Sequence, residues 1–251
     1  MEIVRNPSDL EAAWSRQYVN LAQVSARLLG TCHRVVEIGC GGGQLTIPLA
    51  RLTRNSQFVL VDRFVGTNYS KNHIGLVRNL RKTGLTKRAH IVVSDYMKWI
   101  RTQRDDTYEA VISSEFIPEI DLDETRCFIR SCYRILKPEG VTIHSFLSPT
   151  PSNSRQRLLI AADSNPHWTK TPPKEWFSPK PHLVIRELRE SGFQDIHKNT
   201  LKTMLIMKGD AAKSWLKSAE VKASFYRKHK KLLREEGLEV PDWIIVSGVK
   251  P

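Results

Sequence analysis

Apolar positions recur along this chain at two spacings that take turns. Apolar runs of strand length lie at His33–Ile38, Gln57–Asp62, His90–Ser94, Glu109–Ser113 and Val141–Phe146. Between them, stretches with a helical period cover Gln44–Arg54, Asn72–Thr83, Tyr96–Gln103 and Asp123–Leu136. Strands as apolar as Phe58-Val59-Leu60-Val61, alternating with helices, predict an α/β fold with a doubly wound, mostly parallel sheet buried on both faces. Ahead of them, Ser8-Asp9-Leu10-Glu11 has the form of a capping box. It predicts a helix whose apolar stripe is Leu10, Trp14, Tyr18, Leu21 and Leu28, closed by Gly30. Lys137-Pro138-Glu139-Gly140 predicts a turn into the fifth strand.

The rhythm breaks at residues 148–182, which hold seven of the 13 prolines. Long irregular segments in a compact domain are usually functional. This one is expected to cover the carboxyl edge of the sheet, with a short helix at Arg155–Ala162. The pattern then returns as a helix at His182–Ser191, a strand within Gln194–Lys208, a long helix at Ala211–Glu236 and a last strand at Trp243–Val249.

Length and charge narrow the picture. A chain of 251 residues can bury a full core, and no run approaches the roughly 20 apolar residues of a membrane span. The N-terminus lacks the long apolar stretch of a signal peptide. Cys32, Cys40, Cys127 and Cys132 have no metal-ligand spacing, so reduced thiols, no metal and a cytoplasmic location are expected. Basic residues outnumber acidic ones 39 to 26, a net charge of +13. The excess concentrates between Arg63 and Arg104 and between Lys213 and Arg234. Such a field attracts polyanions such as RNA or an acidic membrane surface, or serves as a solvated face.

The chemistry centres on Glu37-Ile38-Gly39-Cys40-Gly41-Gly42-Gly43, directly behind the apolar Val35-Val36. Alternate glycines let the backbone take positive φ and let a ligand lie against bare main chain. Amides there favour a ligand carboxylate or phosphate, and Glu37 offers an acceptor to an ammonium or amide. An anionic and a cationic group side by side describe an amino acid. A dinucleotide fingerprint needs glycine where Gln44 stands. The acid-x-G-x-G-x-G turn, followed by Asp62, Asp95 and Ser114 at successive strand ends, resembles class I S-adenosylmethionine-dependent methyltransferases. That resemblance implies a three-layer sandwich with a seven-stranded sheet whose last strand is antiparallel. It covers residues 31–147 well and 182–251 loosely. The expected organisation is one domain over 1–251, with an N-terminal helix (1–30), a cofactor-binding half (31–147), the proline-rich cover (148–182) and a C-terminal half (183–251) carrying an inserted basic helix at 211–236. The implied cofactor is S-adenosyl-L-methionine. Its contacts would come from Glu37, Gly39, Cys40, Gly41 and Gly43, from Asp62 at the ribose, from Asp95 and Tyr96 at the adenine, and from Ser114 near the methionine portion.

The acceptor is less legible. Ser114-Glu115-Phe116-Ile117 lacks the Asn/Asp-Pro-Pro-aromatic sequence of exocyclic-amine enzymes. Gly43-Gln44-Leu45-Thr46 with Pro48-Leu49 echoes ribosomal-RNA adenine dimethylases, and Glu115 with Glu124 and His167-Trp168 echoes protein arginine methyltransferases. Cys127 and Cys132 are expected in the core, and His144 as a core histidine or a base. Glu115 is the candidate catalytic residue, because strand-four ends face the reaction centre. A small or lipid-like metabolite leads as acceptor, ahead of RNA and protein. A cofactor-binding protein without catalysis and a nicotinamide oxidoreductase are the readings from other classes.

Overall fold

The computed structural model describes residues 1–64, 69–164 and 179–251. In chain order the elements open with β1 (Glu2–Val4), α1 (Pro7–Leu29), β2 (Arg34–Ile38), α2 (Thr46–Leu52), β3 (Gln57–Asp62), α3 (Tyr69–Lys82) and β4 (Ala89–Val93). They continue with α4 (Tyr96–Thr102), β5 (Tyr108–Ser114), a turn of 3-10 helix, α5 (Leu122–Ile135), β6 (Leu136–Leu147), α6 (Ser154–Ser164) and α7 (Pro181–Glu190). The chain ends in β7 (Gln194–Leu201), β8 (Leu205–Met207), α8 (Gly209–Ser218), α9 (Ala223–Glu235), β9 (Leu238–Glu239) and β10 (Trp243–Val249).

Seven strands form the main sheet in the order β4-β3-β2-β5-β6-β10-β7. Pairing is parallel from β4 through β6, and β10 runs antiparallel to both its neighbours. The expected fold class is borne out. From β2 the chain steps outward through β3 and β4, then returns to the other side of β2 for β5 and β6. The order therefore reverses between β2 and β5, and ligands of open α/β sheets bind beyond the carboxyl ends of the strands at such a point.

Successive strand residues face opposite sides of the sheet, so β2 feeds two cores. Val36 and Ile38 join the core under α4, α5 and α7. Val35 joins the core under α1, α2 and α3, with Leu60 and Ile112. Phe128 of α5 is fully buried and meets Tyr96, Phe116 and His144 with ring centroids 5.0–5.6 Å apart. Phe128→Ala should cost about 3–5 kcal/mol in urea denaturation. A loss below about 1.5 kcal/mol would mean that the surrounding rings collapse into the gap.

Several boundaries differ from expectation for local reasons. α1 starts at Pro7 behind Asn6, with proline at its first position, rather than at a Ser8 capping box. A capping box does open α5, where Asp121 and Glu124 bond each other's backbone amides. β6 begins at Leu136, so Lys137–Gly140 lies within the strand as an irregularity in its register, with Glu139 at φ 64°. The strand expected within 194–208 is two strands, separated at Met204, which takes φ 51°. The second of them, β8, leaves the main sheet for a three-stranded one of order β1-β8-β9. The long helix expected at 211–236 is likewise two helices, broken where Glu220 takes φ 53°. The small sheet, α6, α8 and α9 share a third core, and Glu239 of β9 ties α6 to it by accepting from Asn153 Nδ2 and Arg155 Nε at 2.8 Å. Much of the proline-rich cover, with His167-Trp168, lies outside the described residues. No helix among the described residues is long and apolar enough to cross a membrane.

Candidate active site at the carboxyl edge of the sheet

A polar cleft of about 240 Å³ opens where the strand order reverses. β2 and its loop supply Gly39 and Gly41, β3 supplies Asp62, Ser94 and Tyr96 follow β4, and β5 ends in Ser114 and Glu115. Phe116 and Glu119 close one side, Phe64 and Asn72 another, and Tyr18 reaches in from α1.

The three alternate glycines do different jobs, although all have positive φ: 74° at Gly39, 49° at Gly41 and 82° at Gly43. A Cβ on Gly39 would stand 2.9 Å from Phe116 Cδ2, and one on Gly43 would stand 2.7 Å from Leu76 Cδ1. Those two glycines are required by packing. A Cβ on Gly41 would meet nothing closer than the flexible Gln44 Oε1, at 3.5 Å. Its missing side chain leaves room in the cleft.

Asp62 fixes that loop. Its Oδ2 accepts from the Gly41 amide at 2.8 Å and its Oδ1 from the Phe64 amide at 2.6 Å. Each oxygen keeps a second lone pair for a ligand. Ser114 Oγ and Tyr96 Oη are buried in the cleft wall with no hydrogen-bond partner. Buried polar atoms are nearly always satisfied, so two orphans in one cleft mark places where a ligand or water bonds. Bare backbone at Gly41, a carboxylate at Asp62 and these two hydroxyls fit a nucleoside carrying an amino-acid tail.

Four expected contacts sit elsewhere. Glu37 is 1% exposed and is not part of the cleft lining. Its carboxylate lies under the glycine loop, where Oε2 accepts from Thr46 Oγ1 at 2.5 Å. Cys40 turns its side chain into the core, and burial raises its thiol well above the usual range. Asp95 is the N-cap of α4, with Oδ1 accepting from the Met97 and Lys98 amides and Oδ2 3.9 Å from Arg63 Nη1. Its neighbours Ser94 and Tyr96 face the cleft in its place. Gly43 likewise lines the adjoining groove rather than the cleft.

Burial carries the Glu37 carboxyl from its ordinary 4.5 up to about 8; the Thr46 hydroxyl opposes the rise and the Asp62 charge adds to it. The folded state therefore favours the protonated form. The stabilisation is complete below about pH 4.5 and is lost as pH climbs through 8. The slope reaches up to about 1.4 kcal/mol per pH unit, about 3–5 °C in Tm for a chain of this size. Glu37→Gln keeps an acceptor for Thr46 and cannot ionise, so it should flatten the fall in Tm measured between pH 5 and 8. An identical slope in the variant would assign the fall to other groups.

Glu115 holds φ at 54°, a sparsely populated region that functional sites often retain. Its amide donates to the Ser145 carbonyl at 2.8 Å and its Oε1 accepts from the Leu147 amide at 2.7 Å. Burial pushes its carboxyl up to about 7; the Leu147 amide opposes this and the charges of Asp163 and Glu119 reinforce it. Burial also raises the Tyr18 phenol, with further pushes from Glu115 and Glu37, so these groups share one field. His144, by contrast, is fully buried between Ser113 Oγ and Thr142 Oγ1, both at 2.9 Å, and burial lowers it to about 3. It is a core histidine. Cys132 is core as expected, whereas Cys127 is exposed.

Tyr18, Phe64, Asn72, Phe116 and Glu119 were not anticipated as cleft residues. Tyr18 reads as one member of a helix stripe, and only its height on α1 brings it over the glycine loop. Phe116 stood in the triplet after β5, where its contact with Gly39 has no sequence signal.

Sheet order, cleft position and glycine loop define the class I methyltransferase fold. Residues 35–140 match the family described as a methyltransferase domain. A ubiquinone biosynthesis O-methyltransferase of Xanthomonas oryzae pv. oryzae is 30% identical over 138 residues, 53% of this chain and 51% of that protein. A further one, of Agrobacterium fabrum, is 22% identical over 66% of this chain and 61% of that protein. The chain thus spans about half to three-fifths of the length of these two relatives. Among solved structures, a SAM dependent methyltransferase from Archaeoglobus fulgidus superposes with TM-score 0.60 at 16% identity, covering 94% of both chains.

Proposed function

We propose that this chain is an S-adenosylmethionine-dependent methyltransferase acting on a small or lipid-like metabolite. The observation that carries this reading is the Asp62 carboxylate bonded to the Gly41 amide, in a cleft whose Ser114 and Tyr96 hydroxyls lack partners. The Gly41 backbone and Ser114 would hold the amino-acid tail, Asp62 the ribose hydroxyls, and Ser94 and Tyr96 the base. When bound, the cofactor supplies an electrophilic methyl on a sulfonium. The protein's task is then mainly alignment, worth up to about 7–11 kcal/mol. Glu115, with its carboxyl near 7, is suited to take a proton from an acceptor hydroxyl. The names of the ubiquinone O-methyltransferase relatives support an acceptor of this type.

Calorimetry with adenosylhomocysteine tests the cofactor, and labelled cofactor incubated with lipid, RNA and protein fractions tests the acceptor. Label entering the lipid or small-molecule fraction supports the proposal; binding without turnover in every fraction leaves the non-catalytic reading. A thermal shift with NAD(P) and none with adenosylhomocysteine would assign the cleft to nicotinamide chemistry. With the acceptor in hand, kcat should rise with pH to a plateau with a midpoint near 7, because only ionised Glu115 accepts a proton. Glu115→Gln should remove that step and lower kcat about 10²–10⁴-fold. A profile unchanged in the variant would place the titrating group elsewhere.

RNA is the second reading, favoured by the exposed basic faces of α8 and α9, with Lys213, Lys217, Arg227 and Arg234. It predicts label in the RNA fraction and an affinity that falls steeply with salt. The arginine-methyltransferase echo is weakened, because Glu124 is exposed and occupied in capping α5.

A further inference from the structure

Beside the cleft, a second groove of about 760 Å³ runs between α1, α2 and α3. Each helix gives it one face, through residues three or four apart that stand above one another. Trp14 and Val19 on α1 and Ile47 and Pro48 on α2 give it apolar patches, set among the polar Ser15, Gln44, Asn79 and Thr83. Val19 keeps 42% of its surface exposed there. At the rim stand Arg51 of α2 and Lys82 of α3, both exposed and neither ion-paired within the described residues. Among the described residues Glu11 is the one acid in this lining. Tyr18 and Gln44 belong to the walls of both the groove and the cleft, so the two spaces adjoin.

We propose that this groove is the acceptor site and that it takes a small amphipathic anion. The carboxylate or phosphate of the acceptor lies against Arg51 and Lys82, and its apolar body covers Trp14, Val19, Ile47 and Pro48. Its far end passes Tyr18 toward Glu115. Charge and continuity together select this occupant: two cations without ion pairs among the described residues share the groove with apolar patches, which a ligand of both characters satisfies, and the shared wall leads to the candidate reaction centre. This inference rests on the methyltransferase reading and names the substrate class for it.

The test is calorimetry on the full chain saturated with adenosylhomocysteine, using dodecanoate, dodecyl phosphate and dodecyltrimethylammonium below their micelle concentrations. Both anions should bind at least tenfold tighter than the cation, and their ranking identifies carboxylate or phosphate as the head group. The double variant Arg51→Glu/Lys82→Glu should weaken the anions at least tenfold and leave adenosylhomocysteine within threefold. These side chains are exposed, so the variant keeps its fold. Arg104→Glu, an exposed charge reversal on the loop before β5, controls for net charge and should change nothing beyond twofold. Equal binding of anion and cation, or equal losses in Arg104→Glu and the double variant, overturns the proposal. Absence of adenosylhomocysteine binding instead overturns the methyltransferase reading, and the amphiphile series on the unliganded chain still decides the groove.

Discussion

Gly41→Asn is expected to weaken adenosylhomocysteine binding at least 100-fold, about 2.7 kcal/mol, while the protein remains folded. Gly41 takes φ 49°, a left-handed conformation that asparagine tolerates better than other residues with a Cβ. The new Cβ has only the end of Gln44 within 4 Å, so the folded chain has room for it. The bound ligand does not, if its amino-acid end lies against the loop. Gly39→Ala is the contrasting case. Its Cβ would press on Phe116, which is itself wedged against Tyr96 and Phe128. Overpacking of that kind costs about 1–3 kcal/mol, so this variant loses Tm along with affinity. A Kd within threefold of the parent for Gly41→Asn, at unchanged Tm, would show that the ligand does not pass over Gly41.

The difference between these neighbouring glycines was invisible in the sequence, which shows the alternation but not what each Cβ would meet. Strand order was legible because β2 to β6 are apolar runs bounded by turn residues, and because the short connections permit few topologies. Glu37 falls outside the cleft lining for a definite reason. Its register partners are Leu60 and Ile112, so its side chain shares their face, beneath α2, where Thr46 meets it. A carboxylate near a strand end reads alike whether it points at a ligand or under the loop that holds one. Asp95 shows the same ambiguity, since a strand-end aspartate followed by a helix is also an N-cap. The small sheet was illegible because its strands have three, three and two residues, too few to show a period. It forms only when the first residues of the chain meet residues about 200 positions later, as Glu2 does with Leu205.

Asp62→Ala is expected to lower adenosylhomocysteine affinity by about 10²–10⁴-fold. The carboxylate has two tasks. It holds the Gly41 and Phe64 amides at 2.8 and 2.6 Å, which sets the loop against which the ligand lies, and in the proposed function its remaining lone pairs accept from the ribose hydroxyls. Hydrogen bonds to a charged group are worth about 1.5–3 kcal/mol each, so loss of two ligand bonds alone gives about 3–6 kcal/mol, or two to four decades in Kd. Asp62→Asn separates the tasks. Its amide nitrogen cannot accept from a backbone N–H, so either Gly41 or Phe64 loses its partner while one acceptor oxygen survives, and an intermediate loss is expected. Calorimetry reads the affinities, and amide hydrogen exchange at Gly41 reads the loop. Faster exchange at Gly41 with nearly parental affinity would reduce Asp62 to a loop support. A loss under tenfold with parental exchange would remove it from the site.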